Sequence, residues 1–180
     1  MTGECTIWAS KNNYGTMPNW DTSLVTDMRG RGGTWVSAIG LKGQRKFNGD
    51  ISNWDTSQVT NMRSMFMDCD AFNQDISEWD TSRVTSMKEM FRASWPDARS
   101  GPMAFNQDIS KWDTSRVVDF FAMFYHATSF AQDISGWNLK GAESGWYPFS
   151  IMFEGATAFQ AKFECNDAKN GPPNTCTLRN

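Results

Sequence analysis

A tryptophan followed by the same short phrase recurs five times along the chain, and this recurrence constrains the fold more than any other feature. The phrases are NWDTSLVTDM from Asn19, NWDTSQVTNM from Asn53, EWDTSRVTSM from Glu78, KWDTSRVVDF from Lys111 and the shorter GWNLK from Gly136. Their tryptophans stand at positions 20, 54, 79, 112 and 137, so the steps alternate between longer and shorter ones. Self-similarity of this length is typical of stacked repeat architectures. The shorter steps predict a base period of roughly 25 residues, and the longer ones predict an insert in alternate units.

Within one unit, apolar residues stand at fixed offsets that fit neither a strand nor a helix throughout. In the third unit they are Phe72, Ile76, Trp79, Val84, Met87, Met90 and Phe91. We interpret the unit as a coil with one or two short strands and a helical turn at the MxxMF phrase. Such a unit cannot bury its own apolar face, so neighbouring units must cover it. The recurrent tryptophans are predicted to be core positions.

The phrases FNQDISxWDTSxVTxM and MFxxAxxF resemble a short bacterial surface-protein repeat that is related to the BspA-like leucine-rich repeats. That repeat occurs in lipoproteins of mycoplasmas and Listeria and in marine microbial proteins. The resemblance covers about Asn19 to Phe159. It implies a right-handed, leucine-rich-repeat-like solenoid with short parallel β-strands and helical or 3-10 turns. It also implies an adhesive or binding role at the cell surface, and it supplies no catalytic residues.

The predicted organisation is one domain in three parts. Residues 1–18 are an N-terminal cap, residues 19–159 are five coils with inserts near 29–46, 92–104 and 140–150, and residues 160–180 are a C-terminal cap. The C-terminal part is polar and rich in turn residues, as a terminal cap should be.

Composition excludes some partners and leaves the compartment open. A net charge of −3 argues against a nucleic-acid partner, which needs clustered Lys and Arg. No apolar run reaches the roughly 20 residues of a membrane span. The first ten residues, MTGECTIWAS, do not resemble a signal peptide. The compartment is therefore unknown from the residues, and only the resemblance favours an extracytoplasmic or cell-surface location.

Two rows of aspartates and two rows of threonines align between units. The aspartates are Asp50, Asp75, Asp108 and Asp133, and then Asp21, Asp55, Asp80 and Asp113. Rows of carboxylates can bind calcium, but each Asp can also cap the turn of its own coil, and we favour the turn. The threonines are Thr22, Thr56, Thr81 and Thr114, and then Thr26, Thr60 and Thr85. Regular Thr rows occur on ice-binding faces, but local hydrogen bonding also explains them, and we favour that explanation. No metal or other cofactor is predicted.

Catalytic chemistry has little support, and the cysteines are of two kinds. The one histidine, His126, has no nucleophile beside it in a motif, so we predict that the chain is not an enzyme. Cys69 aligns with Ala127 and is predicted to be a reduced core thiol. Cys165 and Cys176 flank a GPPN turn and are predicted to form a disulfide in an oxidising compartment. Cys5 has no evident partner within the chain.

The inserts are the sharpest functional signal, because each carries a tryptophan outside the recurrent pattern. Inserts in repeat proteins map to one face, often the binding face, and Trp, Tyr and Arg dominate interface hot spots. The predicted binding residues are Trp35, Trp95, Trp146, Tyr147, Arg29, Arg31, Arg92 and Arg99. The same tryptophans could instead fold back and cover the edge of the coils.

The sequence thus predicts a non-catalytic protein-binding or scaffold module that uses an aromatic and arginine-rich loop edge. Two alternatives stay open. One is a carbohydrate-binding or adhesion surface, on which exposed Trp rings stack against sugars. The other is a structural subunit of a larger assembly.

Overall fold

The computed structural model describes residues 17–30, 41–94, 101–144 and 147–180. Regular elements within these ranges are short: 3-10 helices at Met17–Asn19, Lys140–Ser144 and Pro173–Thr175, an α-helix, α1, at Thr157–Lys162, and strands β1 at Phe163–Glu164 and β2 at Thr177–Leu178. β1 and β2 are antiparallel, with Phe163 opposite Leu178. Turns, bends and irregular backbone make up the rest of the described chain.

The predicted leucine-rich-repeat-like solenoid of short parallel strands is wrong. In the ranges that the structure describes, the sheet is two-stranded and antiparallel, and parallel pairing is confined to isolated bridges that join Asp27 to Asn61, Asn61 to Ser86 and Ser86 to Asp119. The reason is local: tight turns close on either side of each bridge, as in the hydrogen bonds from Val59 N–H to Thr56 O and from Met65 N–H to Met62 O. No described stretch beside these bridges stays extended long enough to form a parallel strand. Within the described ranges, the repeat-solenoid description is therefore replaced by a mostly irregular backbone with α1 as its single α-helix.

The irregular segments that begin at the recurrent tryptophans lie side by side. We number them first to fifth, from Trp20, Trp54, Trp79, Trp112 and Trp137. Neighbouring segments exchange backbone hydrogen bonds in both directions: Thr60 N–H donates to Thr26 O, and Met28 N–H donates to Asn61 O, each at 2.9 Å. Thr85 and Met62 make the equivalent bonds one segment further along. This exchange satisfies backbone groups that an irregular chain would otherwise bury without partners.

Aromatic rings from successive segments stack through the core. The centroids of Trp54 and Trp79 are 6.4 Å apart with 4° between the ring planes, and those of Phe66 and Phe91 are 5.6 Å apart with 9° between the planes. The second to fifth recurrent tryptophans are at most 4% exposed. Each of their indole N–H groups donates to a backbone carbonyl 28 to 37 residues earlier in the chain. The core assignment is confirmed for these four residues, whose single polar atom is satisfied inside the core.

The Asp-Thr-Ser phrase forms a turn and also joins neighbouring segments. In the third segment, Asp80 Oδ1 accepts a hydrogen bond from Ser82 N–H at 2.9 Å. The buried Thr81 donates from Oγ1 to the carbonyl of Asp113 in the next segment at 3.0 Å. All eight aspartates of the two aligned rows accept a hydrogen bond from the amide of the serine two residues on. The turn-capping interpretation of these rows is confirmed.

The C-terminal part of the described chain packs against the fifth segment. Helix α1 buries Phe159, whose ring lies 4.2 Å from that of Phe153, centroid to centroid. Phe153 N–H donates to Lys169 O at 2.8 Å. A disulfide joins Cys165 to Cys176, on either side of the turn between β1 and β2. The predicted domain limits stay predictions, and most of the predicted N-terminal cap lies outside the described residues.

Candidate functional site

Of the eight predicted binding residues, the structure describes three. Trp35, Trp95, Trp146, Arg31 and Arg99 lie outside the described residues. Tyr147 is described and is 80% exposed. Arg29 and Arg92 are half-buried and belong to the same surface, which includes further residues that the sequence did not single out.

The first row of this surface contains Arg29, Arg63, Lys88 and Phe121, one from each of the first four segments. Their register follows from the backbone, because the residue after each row member donates to the carbonyl of the next member. Gly30 N–H donates to Arg63 O at 2.8 Å, Ser64 N–H to Lys88 O at 2.8 Å, and Glu89 N–H to Phe121 O at 2.8 Å. Three cations are therefore held side by side, followed by an aromatic ring.

The second row runs beside the first and contains Lys42, Met67, Arg92 and Tyr125, of which Met67 is buried. The same rule sets its register: Gly43 N–H donates to Met67 O at 2.7 Å, Asp68 N–H to Arg92 O at 2.9 Å, and Ala93 N–H to Tyr125 O at 2.9 Å. We call the two rows together the basic–aromatic surface. Its cations lie in the first three segments and its rings in the fourth.

Gly30 sets how closely the two rows approach each other at the first segment. A Cβ placed on Gly30 would overlap the carbonyl oxygen of Ser64 and would lie 2.7 Å from Cβ of Lys42. Only glycine therefore allows the backbone to pass at this point.

Glu89 lies between the rows and holds two of the arginines. Its side chain is 13% exposed, and its carboxylate oxygens lie 2.8 Å from Arg92 Nη1 and 3.7 Å from Arg63 Nη2. Ser64 Oγ also donates to Glu89 Oε2 at 3.2 Å. Glu89 has a φ of 56°, in the left-handed region that non-glycine residues seldom adopt. A half-buried acid that is bonded in this way fixes the positions of the cations around it.

Two of the cations lie against aromatic rings of the next segment. Lys88 Nζ is 4.4 Å from the centroid of Phe121, and Arg92 Cζ is 5.4 Å from the centroid of Tyr125. Both distances are within the range of cation–π attraction. The contacts connect the basic part of the surface to its aromatic part and leave each side chain partly exposed.

Each of the three predicted inserts is described only in part. The first, near 29–46, is described up to Gly30 and again from Leu41, whose N–H donates to Met65 O. The second, near 92–104, is described up to Ser94, which donates to Asp68, and again from Gly101, whose N–H donates to Asp70 Oδ2 at 2.9 Å. The third, near 140–150, is described again from Tyr147, directly before the Pro148 carbonyl that accepts from Phe120 N–H. That the inserts emerge along one edge stays a prediction, because their tryptophans lie outside the described residues.

The aspartate rows are occupied by their own turns. The pKa of Asp113 is held below its ordinary value by the hydrogen bonds from the Ser115 side chain and then from its amide. The Ser110 amide and then its hydroxyl have the same effect on the pKa of Asp108. Among the residues with described positions, no group of three or more His, Cys, Asp or Glu side chains is close enough to hold a metal ion.

The two reactive residue types that the sequence raised are placed in the core or in a turn. Cys69 is fully buried and donates to Leu41 O at 2.9 Å, and burial raises the pKa of its thiol to about 12. A thiol with so high a pKa is a poor nucleophile. His126 is half-buried and has a φ of 55°, with its ring edge-on to Tyr125 at 4.3 Å between centroids.

Sequence reasoning missed Lys42, Arg63, Lys88, Phe121 and Tyr125. A signal for part of this set was present, because Arg29, Arg63, Lys88 and Phe121 each stand nine positions after a recurrent tryptophan. Arg92 and Tyr125 likewise share a common offset from theirs. Lys42 has no such signal, because the first insert separates it from its tryptophan.

The fold and this surface together define a class: a small, mostly irregular domain with an aromatic core and a basic–aromatic face. The family model described as "Mycoplasma protein of unknown function, DUF285" matches residues 5–98 and 100–170, so the chain belongs to that family. The assignment to the BspA-like, leucine-rich-repeat-related family is therefore wrong. No curated protein and no solved structure matches the chain.

Within the described part of the chain, no helix has the length and apolar character that crossing a membrane requires.

Proposed function

We propose that this chain is a non-catalytic protein-binding module and that the basic–aromatic surface is its contact surface. The observation that carries the proposal is the pair of cation–π contacts, Lys88 on Phe121 and Arg92 on Tyr125, on two adjoining rows. Rings and guanidinium groups that are already held in place lose little freedom when a partner docks.

The residue types at this surface support the same function. Arg and Tyr are enriched at protein interfaces and dominate their hot spots, whereas Lys and Glu contribute less. Arg29, Arg63, Arg92 and Tyr125 come from four different segments and are aligned by backbone hydrogen bonds.

The proposal can be tested by comparing two variants with two substitutions each. A Phe121→Ala/Tyr125→Ala variant changes the surface, and an Arg83→Ala/Arg116→Ala variant changes exposed side chains elsewhere. Each immobilised protein, and the parent, would be incubated with an extract of the source cells, and bound proteins would be quantified by mass spectrometry. We expect one or more proteins to be retained by the parent and by the Arg83/Arg116 variant but lost from the Phe121/Tyr125 variant.

Two results would contradict this function. One is equal retention by both variants, with the same unfolding midpoint. The other is retention that disappears when glycans in the extract are destroyed by periodate, which would favour carbohydrate recognition. Because loss of Phe121 and Tyr125 also removes ring contacts within the protein, an Arg63→Ala variant, which changes a half-exposed side chain, should reproduce the loss in part.

A further inference from the structure

The basic–aromatic surface has a charge opposite to that of the rest of the molecule. Its five cations are Arg29, Lys42, Arg63, Lys88 and Arg92, and the acids bonded to them are Asp27 and Glu89. Two further acids are beside the rows: Asp68 follows Met67, and Asp119 accepts a hydrogen bond from Phe121 N–H. Five positive and four negative charges leave the surface at +1, whereas the whole chain carries −3. A localised field of the opposite sign selects for charge-complementary partners and speeds their association.

Asp27 and Glu89 are less exposed than the arginines that they bind, and both form ion pairs within the surface. The Glu89 side chain is 13% exposed and bridges Arg63 and Arg92. The Asp27 side chain is 29% exposed, and its Oδ2 accepts a hydrogen bond from Nε–H of Arg29 at 2.8 Å. Arg63 is 52% exposed, and Lys88 extends over Phe121. The cationic groups are therefore the more accessible charges.

The spacing of the first row suits an extended chain. Segments joined by backbone hydrogen bonds lie about 4.8 Å apart, so Arg29, Arg63 and Lys88 span about 10 Å. An extended peptide covers that length in about four residues. Its carboxylates would face the cations, and the rings of Phe121 and Tyr125 would receive the apolar part of the next residues.

We infer that the partner of this surface is an acidic, extended polypeptide segment that lies along the first row from Arg29 to Phe121. This inference rests on the proposed function and specifies the chemistry of its partner. Neither a nucleic acid nor a sulfated glycan is the inferred partner, and both serve as comparison ligands in the test.

The test uses a fluorescein-labelled peptide of ten glutamates, titrated with the protein and followed by fluorescence anisotropy. We expect binding at about 50 mM salt that weakens at about 500 mM, since the Debye length falls below the spacing of the charges. An Arg63→Glu/Lys88→Glu variant should bind about tenfold more weakly, as expected when two exposed charges are reversed. The matched control is Arg83→Glu/Arg116→Glu, which makes the same change in net charge at exposed positions away from the surface.

The inference is overturned if the decaglutamate does not bind, or if both variants weaken it equally, because the effect would then depend on net charge alone. It is also overturned if heparin or a DNA decamer binds more tightly than the peptide and loses affinity in the same variant. An Arg63→Gln/Lys88→Gln variant guards against misfolding and should give a smaller loss in the same direction. If the peptide fails to bind while Phe121→Ala/Tyr125→Ala still abolishes partner capture, the proposed function stands and only the acidic chemistry is wrong.

Discussion

The side chain of Thr81 donates a hydrogen bond from Oγ1 to the main-chain carbonyl of Asp113, 32 residues further along, at 3.0 Å. Thr22, Thr56 and Thr114 make the same contact, each with the next segment, at 2.8 to 3.0 Å. These threonines are at most 2% exposed. Each turn is thereby attached to its neighbour by a buried side chain, in a region where the described backbone forms no strand ladder.

Replacing Thr81 by Val should destabilise the protein by about 1–2 kcal/mol, because the Asp113 carbonyl loses its buried donor while the side-chain volume is kept. The matched control is Thr85→Val. Thr85 also donates to a neighbouring carbonyl, that of Thr60 at 3.0 Å, but it is exposed and water can replace it. Urea unfolding of both variants would measure the difference, and equal losses would contradict the importance of burial.

Replacing Gly155 by Ala should cost about 2–4 kcal/mol, from the strain of a positive φ and from overpacking. Gly155 has a φ of 75°, and an added Cβ would overlap the ring of His126. Gly136→Ala is the control, because no atom lies within 4 Å of a Cβ there, and it should change stability by less than about 0.5 kcal/mol. A His126→Ala/Gly155→Ala double variant should be more stable in thermal unfolding than Gly155→Ala alone. Equal stability of the two would mean that the His126 ring is not the obstacle.

Stability should decrease as the pH falls below about 4. Serine hydrogen bonds lower the pKa of Asp21, Asp50, Asp55, Asp75, Asp108, Asp113 and Asp133 in the folded protein. The unfolded chain, with Asp pKa values of about 3.9, therefore takes up protons first. The stabilisation is complete above the unfolded pKa and is lost as the pH falls through the folded values.

An Asp113→Asn variant tests this origin of the pH dependence. Asn138 already occupies the equivalent position and accepts from Lys140 N–H at 3.1 Å, so an amide can form the turn. The variant should resemble the parent at pH 7 and should lose less stability than the parent between pH ~5 and pH ~2.5, when urea unfolding is repeated across that range. Parallel curves for the two proteins would exclude Asp113 as a contributor.

Removing the disulfide with a Cys165→Ser/Cys176→Ser variant should destabilise the protein by about 3 kcal/mol in the chain-entropy model, given a separation of 11 residues. Dithiothreitol should lower the unfolding midpoint of the parent to about that of the double variant. It should leave the double variant unchanged, because Cys69 is a free thiol in the core. A shift of the double variant with the reductant would show that another cysteine pair contributes.

The register of the recurrent phrases could be worked out from residue order, because the hydrogen-bonding needs of a turn are local. The Asp-Ser turns depend only on residues two apart, so the sequence predicted them correctly. The burial of four of the five recurrent tryptophans was also predicted correctly, because a large apolar ring that has neighbours on both sides is buried, whereas Trp20, in the first segment, is half-buried. The secondary structure could not be predicted from the sequence, because it depends on whether the backbone between turns is long enough to stay extended.

Part of the candidate site could also be predicted from the sequence, and part of it required the fold. The row Arg29, Arg63, Lys88 and Phe121 was present in the sequence as a constant offset from each tryptophan, although its exposure was not. Lys42 joined the second row only because the chain returns at Leu41 beside Met65, after an insert whose length hides the register. The contact of Glu89 with both Arg63 and Arg92 also required the fold, because Arg63 belongs to the preceding segment while Arg92 is a near neighbour in sequence.

By itself, the sequence determined where the Asp-Ser turns lie and that the second to fifth recurrent tryptophans are buried, because these follow from short-range bonding and from hydrophobicity. Only the tertiary structure decided that the neighbouring segments remain irregular and that two cations of the third segment lie against the rings of the fourth. Those outcomes depend on hydrogen bonds between residues of different segments, far apart in sequence, whose partners no local pattern specifies.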